Sequence, residues 1–352
     1  MPAPLTWSLV IATYNRGAIL RRCLDLAVQQ SRPPREVVIV DASANWQEIR
    51  DQVMREIGDR HPEIRWEYQE ARVRSSTTQR NQAIDQATSD VLFLIDDDSL
   101  LYPGCAELVM QIYEADPDEK ILGVAPMAAG APPPEAGGDV PGARAPAGRP
   151  GLLRRLAYWL EQQVEVDKLL LPYDAHYPDR PVPEAVKPLD VAPVHYFHGF
   201  RMTYRRSAIA RERFDEFLQR YAAAEDLDAS YRVSRHGALV NAMRAQLFHA
   251  QDPSARLTRY TRNVLGIMNL AVLYRLKGHD PRALFGEFRR RLWRRMVFDL
   301  LRDLARRRFK LPYTRATRFA LGKLNEVLAM SEEELRQWYP GFQVAMIEKN
   351  PE

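Results

Sequence analysis

The sequence predicts an α/β protein with a mostly parallel β-sheet covered by helices on both faces, followed by a C-terminal α-helical extension. Three observations lead to this fold class. Short apolar runs alternate with segments of helical periodicity through the first 125 residues. These runs are rich in β-branched residues and continuously apolar, which is typical of parallel strands buried on both faces. Beyond Asp252, apolar residues recur almost entirely at helical spacing.

The segments of the first part alternate regularly along the chain. The predicted strands are Trp7–Ala12, Glu36–Asp41, Ile64–Tyr68, Val91–Ile95 and Ile121–Ala125. The predicted helices between them are Ala18–Gln30, Gln47–Ile57, Ser76–Ala87 and Gly104–Ala115. Ligands of such sheets bind beyond the carboxyl ends of the strands. The segments expected to bind a ligand are therefore Thr13–Arg16, Asp41–Ser43 and Asp96–Ser99.

The alternation stops at residues 126–151, where 20 of 26 residues are Pro, Gly or Ala. This composition predicts a flexible loop, and the sequence leaves open whether it is a passive insertion or a lid over an active site. Helical spacing resumes over Leu152–Leu171. After a proline-rich stretch we expect a strand at His195–Tyr204, a helix at Ala222–Arg235 and one or two strands at Ala238–His249.

Composition and charge divide the chain into two parts. Its 352 residues are 46% hydrophobic and 27% charged, which excludes a collagen-like, disulfide-stapled or fully disordered protein. Two cysteines, Cys23 and Cys105, suit a reducing compartment and lack metal-finger spacing. The net charge of +4 combines −7 over residues 1–255 with +11 over residues 256–352. We therefore predict an acidic α/β domain followed by a basic helical region.

The apolar segments are too short to be membrane spans. The N-terminus lacks a positively charged leader, and the longest later apolar stretch, Val264–Tyr274, has eleven residues. A spanning helix needs about 20 residues. We therefore expect neither a signal peptide nor a membrane span, and a cytoplasmic location.

Three consecutive carboxylates, Asp96, Asp97 and Asp98, follow the most apolar run of the chain. A buried strand that ends in three like charges is unfavourable unless a cation neutralises them. Such oxygen ligands suit Mg²⁺ or Mn²⁺, which also bridge phosphates. The residues alone leave open a solvated acidic loop that caps the helix near Pro103.

A second acidic cluster, Ala224–Asp228, opens the predicted helix that follows it. One of its carboxylates would be a general base that takes the proton of an attacking hydroxyl. Alternatively, acidic residues in a first turn only interact with the helix dipole. Together with the first cluster, this one would provide the metal and the base needed to displace a phosphate leaving group.

Three single residues add to these clusters. His249 ends a short apolar run, where its imidazole would complete a metal site or be an ordinary structural histidine. Arg80 lies in the first turns of the Ser76–Ala87 helix, where it would favour a phosphate or simply be exposed. Asp41 closes the second strand and would accept a hydrogen bond from a nucleobase or cap the next turn.

Taken in order, these segments resemble the family 2 glycosyltransferases, which have the Rossmann-like GT-A fold. The matching segments are Ser8–Arg16, Val38–Ser43, Arg80–Ala83, Phe93–Asp98, Gly199–Arg206, Glu225–Arg232 and His249. The match spans roughly residues 6–250. It implies a catalytic domain over residues 1–255 that transfers a sugar, with inversion, from a nucleotide-diphosphate donor to an acceptor hydroxyl. UDP-sugar is the donor expected by family analogy.

The resemblance also implies roles in donor binding. The residues implied to bind the nucleotide sugar are Thr13, Tyr14, Arg16, Asp41, Ser43, Arg80, Asp96 and Asp97. Asp41 would read the base, Arg80 would lie near the ribose and diphosphate, and Asp96 would contact the ribose side.

The metal and the base are implied in the same way. Asp98 and His249 would bind Mn²⁺ or Mg²⁺ across the diphosphate. Asp226 would be the catalytic base, with Glu225 beside it. In-line attack from the face opposite the leaving group inverts the anomeric centre, and it requires the base to lie across the sugar from the metal.

Acceptor recognition and two rival functions stay open. The loop at 126–151 and the segment His195–His198 differ from a generic member and fall where the acceptor would bind. The expected acceptor is a carbohydrate or a lipid-linked molecule of bacterial polysaccharide or glycolipid assembly. The alternatives are a sugar-nucleotide nucleotidyltransferase, which expects a Gly-rich loop where Thr13–Arg16 stands, and a non-catalytic nucleotide-sugar-binding protein. An oxidoreductase is disfavoured because a G-x-G-x-x-G turn is missing.

The basic region contains one amphipathic segment. Residues 289–310 hold ten Arg/Lys and two Asp, and Leu292, Met296, Leu300 and Leu304 recur every four residues. Such a helix would lie on an anionic membrane surface, at the inner face of the plasma membrane, or dock on the catalytic domain with its basic face in solvent. Nucleic acid is not expected as a partner because no recognition motif accompanies the charge.

Overall fold

The computed structural model describes residues 4–138, 140–141, 178–252 and 257–350. The chain forms two compact units. Unit 1 comprises residues 1–146, 178–215 and 225–255, and unit 2 comprises residues 147–177, 216–224 and 256–352.

Four parallel strands form the N-terminal part of the sheet in unit 1. They are β1 (Trp7–Thr13), β2 (Glu36–Asp41), β3 (Arg65–Glu70) and β4 (Val91–Leu94). The register pairs Thr13 with Asp41, so the carboxyl ends of β1 and β2 lie at one edge. All residues of β2 and β4 are buried, as their continuous apolar sequences predict.

Three helices connect these strands, and a fourth follows the short strand after β4. They are α1 (Gly17–Val28), α2 (Trp46–Glu56), α3 (Ser76–Gln86) and α4 (Cys105–Glu114). Alternate strand residues enter different cores. Leu9 and Ile11 pack with apolar residues of α1, α2 and α4, whereas Val10 packs with α3 on the other face. Gly104 precedes α4 with φ +74°, a conformation that favours glycine. The predicted cover of helices on both faces is thus confirmed.

The remaining strands make the sheet mixed. They are β5 (Ser99–Leu101), β6 (Ile121–Ala128), β7 (Val191–Val194), β8 (Met202–Arg205) and β9 (Ala238–His249). The strand order is β3-β2-β1-β4-β8-β6-β9-β5, and β7 also pairs with β9. β8 is antiparallel to both β4 and β6, and β9 is antiparallel to β5 and β7 but parallel to β6. Helices α5 (Arg206–Glu212) and α6 (Glu225–Ser234) pack on the face that α3 covers.

Two sequence-based boundaries change. The strand expected at His195–Tyr204 forms only at its C-terminal end, as β8. A short 3-10 helix at Gly199–Arg201 precedes β8, and β7 ends before this segment. The loop expected from residue 126 begins later, because β6 continues to Ala128, and it includes a 3-10 turn at Pro134–Ala136. Residues 139 and 142–151 of that loop, and the helix predicted at Leu152–Leu171, lie outside the described residues.

Unit 2 contains four long helices within its described part. They are α7 (Arg259–Lys277), α8 (Pro281–Ala305), α9 (Pro312–Ala329) and α10 (Glu332–Lys349). α9 packs against α7 and α8, and α10 packs against α7. The buried Asn269 of α7 donates to the carbonyls of Tyr221 and Ala223 and accepts from Tyr339 and Gln343. The helical character predicted beyond Asp252 is confirmed. Among the described helices, none is long and apolar enough to cross a membrane.

The apolar stripe predicted for α8 is wrong in its membership. Leu292 is fully buried, whereas Leu300 and Leu304 are exposed. Residues four apart on a helix are separated by one full turn plus about 40°. Side chains that recur strictly every four residues therefore shift gradually around the helix and do not stay on one face. The buried face consists instead of Phe285, Phe288 and Leu292, followed by Asp299 and Asp303.

Candidate active site

The acidic triplet lies directly beyond β4, next to the end of β1. Asp97 accepts a hydrogen bond from the Thr13 hydroxyl at 2.7 Å and forms an ion pair with Arg16 at 3.1 Å. Arg16 precedes α1, and its guanidinium also lies 3.5 Å from Asp98. Parallel pairing of β1 with β4 therefore brings together two of the ligand segments predicted from the sequence.

Asp98 and His249 meet because β5 and β9 are antiparallel. The register pairs Ser99 with His249, which brings the imidazole Nε2 to 3.1 Å from Asp98 Oδ1 and 3.9 Å from Asp96 Oδ2. The other oxygen of Asp98 accepts from the backbone N–H of Asp252 at 2.9 Å. The ring of Phe200 stacks on His249 with centroids 4.5 Å apart.

These three side chains fit a divalent cation. One ligand atom from each of Asp96, Asp98 and His249 lies within 4.8 Å of the others. Oδ1 of Asp98 is buried, and the His249 imidazole is its polar neighbour among the described residues, so a carboxylate oxygen and an imidazole nitrogen lie side by side. Two carboxylates and a neutral imidazole are donors that Mn²⁺ and Mg²⁺ accept. Asp96, expected on the ribose side of the donor, thus lies in the same cluster as the two predicted metal ligands.

Burial and charge set the protonation of the triplet. Burial and the neighbouring Asp98 raise the pKa of Asp97 to about 7, against the opposing effect of Arg16. Burial also acts to raise the pKa of Asp98, but His249, Arg16 and the Asp252 N–H hold it below its ordinary value.

Arg80 connects the two acidic clusters. Its side chain is only 6% exposed and pairs with Asp96 at 2.8 Å and with Glu225, the first residue of α6, at 2.6 Å. Burial and the adjacent Asp226 raise the pKa of Glu225 to about 8, while Arg80 acts to lower it. The guanidinium predicted to lie near a diphosphate is thus bound by two acidic side chains, and a phosphate that binds Arg80 would have to share it with them.

The carboxylate of Asp226 contacts the 3-10 helix before β8. Its Oδ2 accepts from the backbone N–H of Gly199 at 2.7 Å, and Oδ1 accepts from that of Leu227 at 2.9 Å. The third acid of this cluster, Asp228, is fully buried and pairs with Arg232 one turn later at 2.9 Å. One member of the cluster is therefore structural, and the two others face the Arg80 side.

The end of β2 forms a third group of predicted residues. Asp41 accepts from the N–H and hydroxyl of Ser43 at 2.8 and 2.5 Å, and from the Tyr68 hydroxyl at 2.6 Å. Ser43 in turn accepts from the N–H of Asn15 at 2.7 Å. The guanidinium of Arg74 stacks on the Tyr14 ring, with its central carbon 3.5 Å from the ring centroid. Asp41 therefore both caps its own turn and keeps a second partner in Tyr68.

Four contacts of this site were not predicted from the sequence. They come from Tyr68, Gly199, Phe200 and Asp252. Two of them are backbone N–H groups, for which the sequence has no signal. Burial and the Asp41 carboxylate raise the pKa of Tyr68 well above its ordinary range, so its hydroxyl remains a donor.

Comparison with known protein families finds one match. Residues 8–136 match the family described as Glycosyl transferase family 2. The match covers 129 of the 352 residues, all of them in unit 1. The matched range includes Thr13, Asp41, Arg80 and the acidic triplet, whereas the glycosyltransferase residues proposed from Gly199 onwards lie beyond it.

Solved structures are similar to this glycosyltransferase at low sequence identity. GalNAc-T7, solved with UDP, GalNAc and Mn²⁺, is 13% identical, with 80% of this chain and 50% of that one covered and a TM-score of 0.52. The mannosyltransferase PcManGT from Pyrobaculum calidifontis, in complex with GDP-Man and Mn²⁺, is 16% identical over 99% and 88%, with a TM-score of 0.48. TarS residues 1–349 from S. aureus are 13% identical over 98% and 90%, with a TM-score of 0.48. No curated protein sequence matches significantly. The GT-A fold and the glycosyltransferase class expected from the sequence are confirmed.

Proposed function

We propose that this glycosyltransferase moves a sugar from a nucleotide-diphosphate donor, UDP-sugar by family analogy, to an acceptor hydroxyl with inversion at the anomeric carbon. The observation that most supports this function is the Arg80 bridge. It links Asp96, beside the Asp98–His249 pair, to Glu225, beside Asp226. The Arg80 guanidinium thus lies between two acidic clusters, one proposed to bind the metal and the other to provide the base. Displacement of a diphosphate from a sugar requires both.

Donor binding is assigned to the ends of the first strands. Asp41 would accept from the base, with Ser43 and Tyr68 fixing its carboxylate. Thr13, Tyr14 and Arg16 would line the nucleotide pocket, and Asp97, held by Thr13 and Arg16, would orient that wall. Asp96 and Arg80 would bind on the ribose and diphosphate side.

Asp98 and His249, with Asp96 as a third ligand, would hold Mn²⁺ or Mg²⁺. A bound divalent cation supplies positive charge that offsets the charge developing on the leaving diphosphate. The chain contributes to this site by orientation. Asp252 fixes one oxygen of Asp98, and Phe200 fixes the plane of the His249 ring.

Asp226 is the proposed base. It would take the proton of the acceptor hydroxyl as that oxygen bonds to the anomeric carbon and the diphosphate departs from the opposite face. Glu225 is less suited to this task because it is bound to Arg80 and its pKa lies near 8. Glu225 would instead hold Arg80 in place between the two clusters.

The proposal extends to the domain and its surroundings. The catalytic domain would span residues 1–255 and the basic helical region residues 256–352. The acceptor would be a carbohydrate or lipid-linked molecule of bacterial polysaccharide or glycolipid assembly. The enzyme would be cytoplasmic and attach peripherally to the inner face of the plasma membrane through its basic helices. A nucleotidyltransferase and a non-catalytic nucleotide-sugar-binding protein are the alternatives that the test must separate.

The test measures binding and transfer separately in Asp226→Asn. Thermal shift with UDP, dTDP and GDP, each with and without Mn²⁺, identifies the nucleotide. The variant should bind that nucleotide as the wild type does and lose transfer by about 10²–10⁴-fold, the usual contribution of a general base. Asp118→Asn is the matched control, since Asp118 is exposed and pairs with Lys120. Full transfer by Asp226→Asn would refute the base, and indifference to every nucleotide would refute the donor site.

A further inference from the structure

Helix α8 exposes large apolar side chains along one face. Trp293, Val297 and Leu301 are 56, 59 and 61% exposed, and Leu300 and Leu304 are also exposed. Their spacing of three, four and seven residues places them together on the helix surface. We call these five residues the apolar strip. Phe309, which is 79% exposed, follows in the turn after the helix.

Buried polar contacts keep this strip facing outward. Asp299 accepts from the Thr317 hydroxyl at 2.7 Å. Asp303 accepts from the backbone N–H groups of Tyr313 and Thr314 at 3.1 Å and so caps the start of α9. Turning α8 to bury the strip would expose Phe285 and Phe288 and break these bonds. An exposed apolar face that is fixed in this way is typical of a surface that binds a partner.

Exposed cations border the strip. Arg290 and Arg294 are exposed on the helix, and Arg306 and Arg307 are exposed after it. Residues 302–318 hold seven Arg/Lys against one acid, the buried Asp303. The other acids of α8 are Asp299, which is buried, and Glu287, which pairs with Arg291 at 2.9 Å. Among the described residues of α8 and of the segment that follows it, the exposed charges beside the strip are therefore positive.

A basic cavity of about 470 Å³ lies at the end of the strip. Arg259, Arg307, Arg308 and Lys310 line it, together with the aromatic rings of Tyr260 and Phe309. Four of the lining residues are cations, so the cavity favours an anion, and phosphate oxygens match the planar fork of a guanidinium.

We propose that the strip and the cavity together bind the surface of an anionic phospholipid bilayer. The strip would enter the boundary between headgroups and acyl chains, and the cavity would take the phosphate of one headgroup. The apolar side chains and the single sign of the charge favour a bilayer over a soluble acidic partner. This inference rests on the peripheral attachment in the proposed function and gives it a surface and a lipid chemistry.

The test uses the full chain and vesicles of phosphatidylcholine, alone or with about 30 mol% phosphatidylglycerol, at low salt. The wild type should sediment with the anionic vesicles and not with the neutral ones. Trp293→Ser with Leu301→Ser should lower this binding by about tenfold or more, and so should Arg307→Gln with Lys310→Gln. Val73→Ser is the matched control, because Val73 is 48% exposed in unit 1. Equal thermal unfolding of all variants excludes a folding defect.

Several outcomes would overturn the inference. They are no binding to anionic vesicles, equal binding to neutral ones, or wild-type binding by either double variant. Displacement from the vesicles by inorganic phosphate at constant ionic strength would make the cavity a site for free phosphate. A wild-type dimer in light scattering that the strip variant dissociates, without vesicle binding, would make the strip an interface between copies. Nucleotide binding by thermal shift reports the donor site independently of all these results.

Discussion

Replacing Arg80 with Met tests the link between the two acidic clusters by its dependence on pH. The variant leaves Asp96 and Glu225 without their shared cation. At about pH 7 Glu225 is protonated in both proteins, because burial raises its pKa to about 8. The loss there comes from the missing hydrogen bonds of a nearly buried guanidinium, about 2 kcal/mol in the free energy of unfolding.

The loss should grow above pH 8, and the sign follows from the direction of the shift. A carboxyl whose folded pKa exceeds its unfolded one lowers stability as the pH rises toward the folded value. Removing Arg80 raises that pKa further, so the variant continues to lose stability above pH 8 while the wild type no longer does. Over about 1.5 pH units, the free energy of unfolding that Arg80→Met loses relative to the wild type should increase by about 2 kcal/mol. The total loss at about pH 9.5 is then about 4 kcal/mol.

Urea unfolding at both pH values measures these free energies. Arg291→Met is the matched control, because its ion pair with Glu287 on α8 is 31 and 45% exposed and should contribute about 0–1 kcal/mol at either pH. A destabilisation by Arg80→Met that is constant with pH, or smaller at high pH, would show that Glu225 does not titrate against Arg80.

Two further predictions concern the metal site and the sheet. Asp98→Asn should weaken Mn²⁺ binding, measured by calorimetry, at least about tenfold, since it removes a ligand carboxylate. Asp118→Asn is the control. If Asp98→Asn binds Mn²⁺ like the wild type, Asp98 is not a ligand. Gly123→Ala should lower the unfolding free energy by about 1–3 kcal/mol, because its Cβ would lie 2.6 Å from Phe197. By contrast, Gly322→Ala in α9 meets nothing within 4 Å and should stabilise by about 0.5–1 kcal/mol. Equal effects of the two glycine variants would contradict the packing argument.

Much of the sheet could be predicted because its signals are local. The continuous apolar sequences of β1, β2 and β4 identify strands buried on both faces, and each boundary agrees within a residue or two. The segment at 195–204 was not predictable, because Gly199–Arg201 turns to contact Asp226 through a backbone N–H. Such a contact depends on a helix more than 20 residues away, and no residue type encodes it.

The candidate site shows the same division. The order of the motifs placed Asp96, Asp98 and His249 in one proposed site, and the β5–β9 register brings these side chains together. The partners of Arg80 were not evident, since a helix arginine that faces a phosphate and one held by two carboxylates have the same local sequence. Tyr68 at Asp41 is a similar case, because aromatic residues in strands are usually packing residues.

The sequence by itself determined the α/β class, the strands and helices of the first 125 residues, the family match of residues 8–136, and the acidic residues from which a site can be built. These properties depend on hydrophobic period and on short motifs, which are local. Only the tertiary structure decided that Arg80 joins the two acidic clusters and that α8 buries Asp299 and Asp303 while it exposes Trp293. A helix that is apolar on more than one side can bury either side, and the neighbouring helix selects one through the hydrogen bonds it offers.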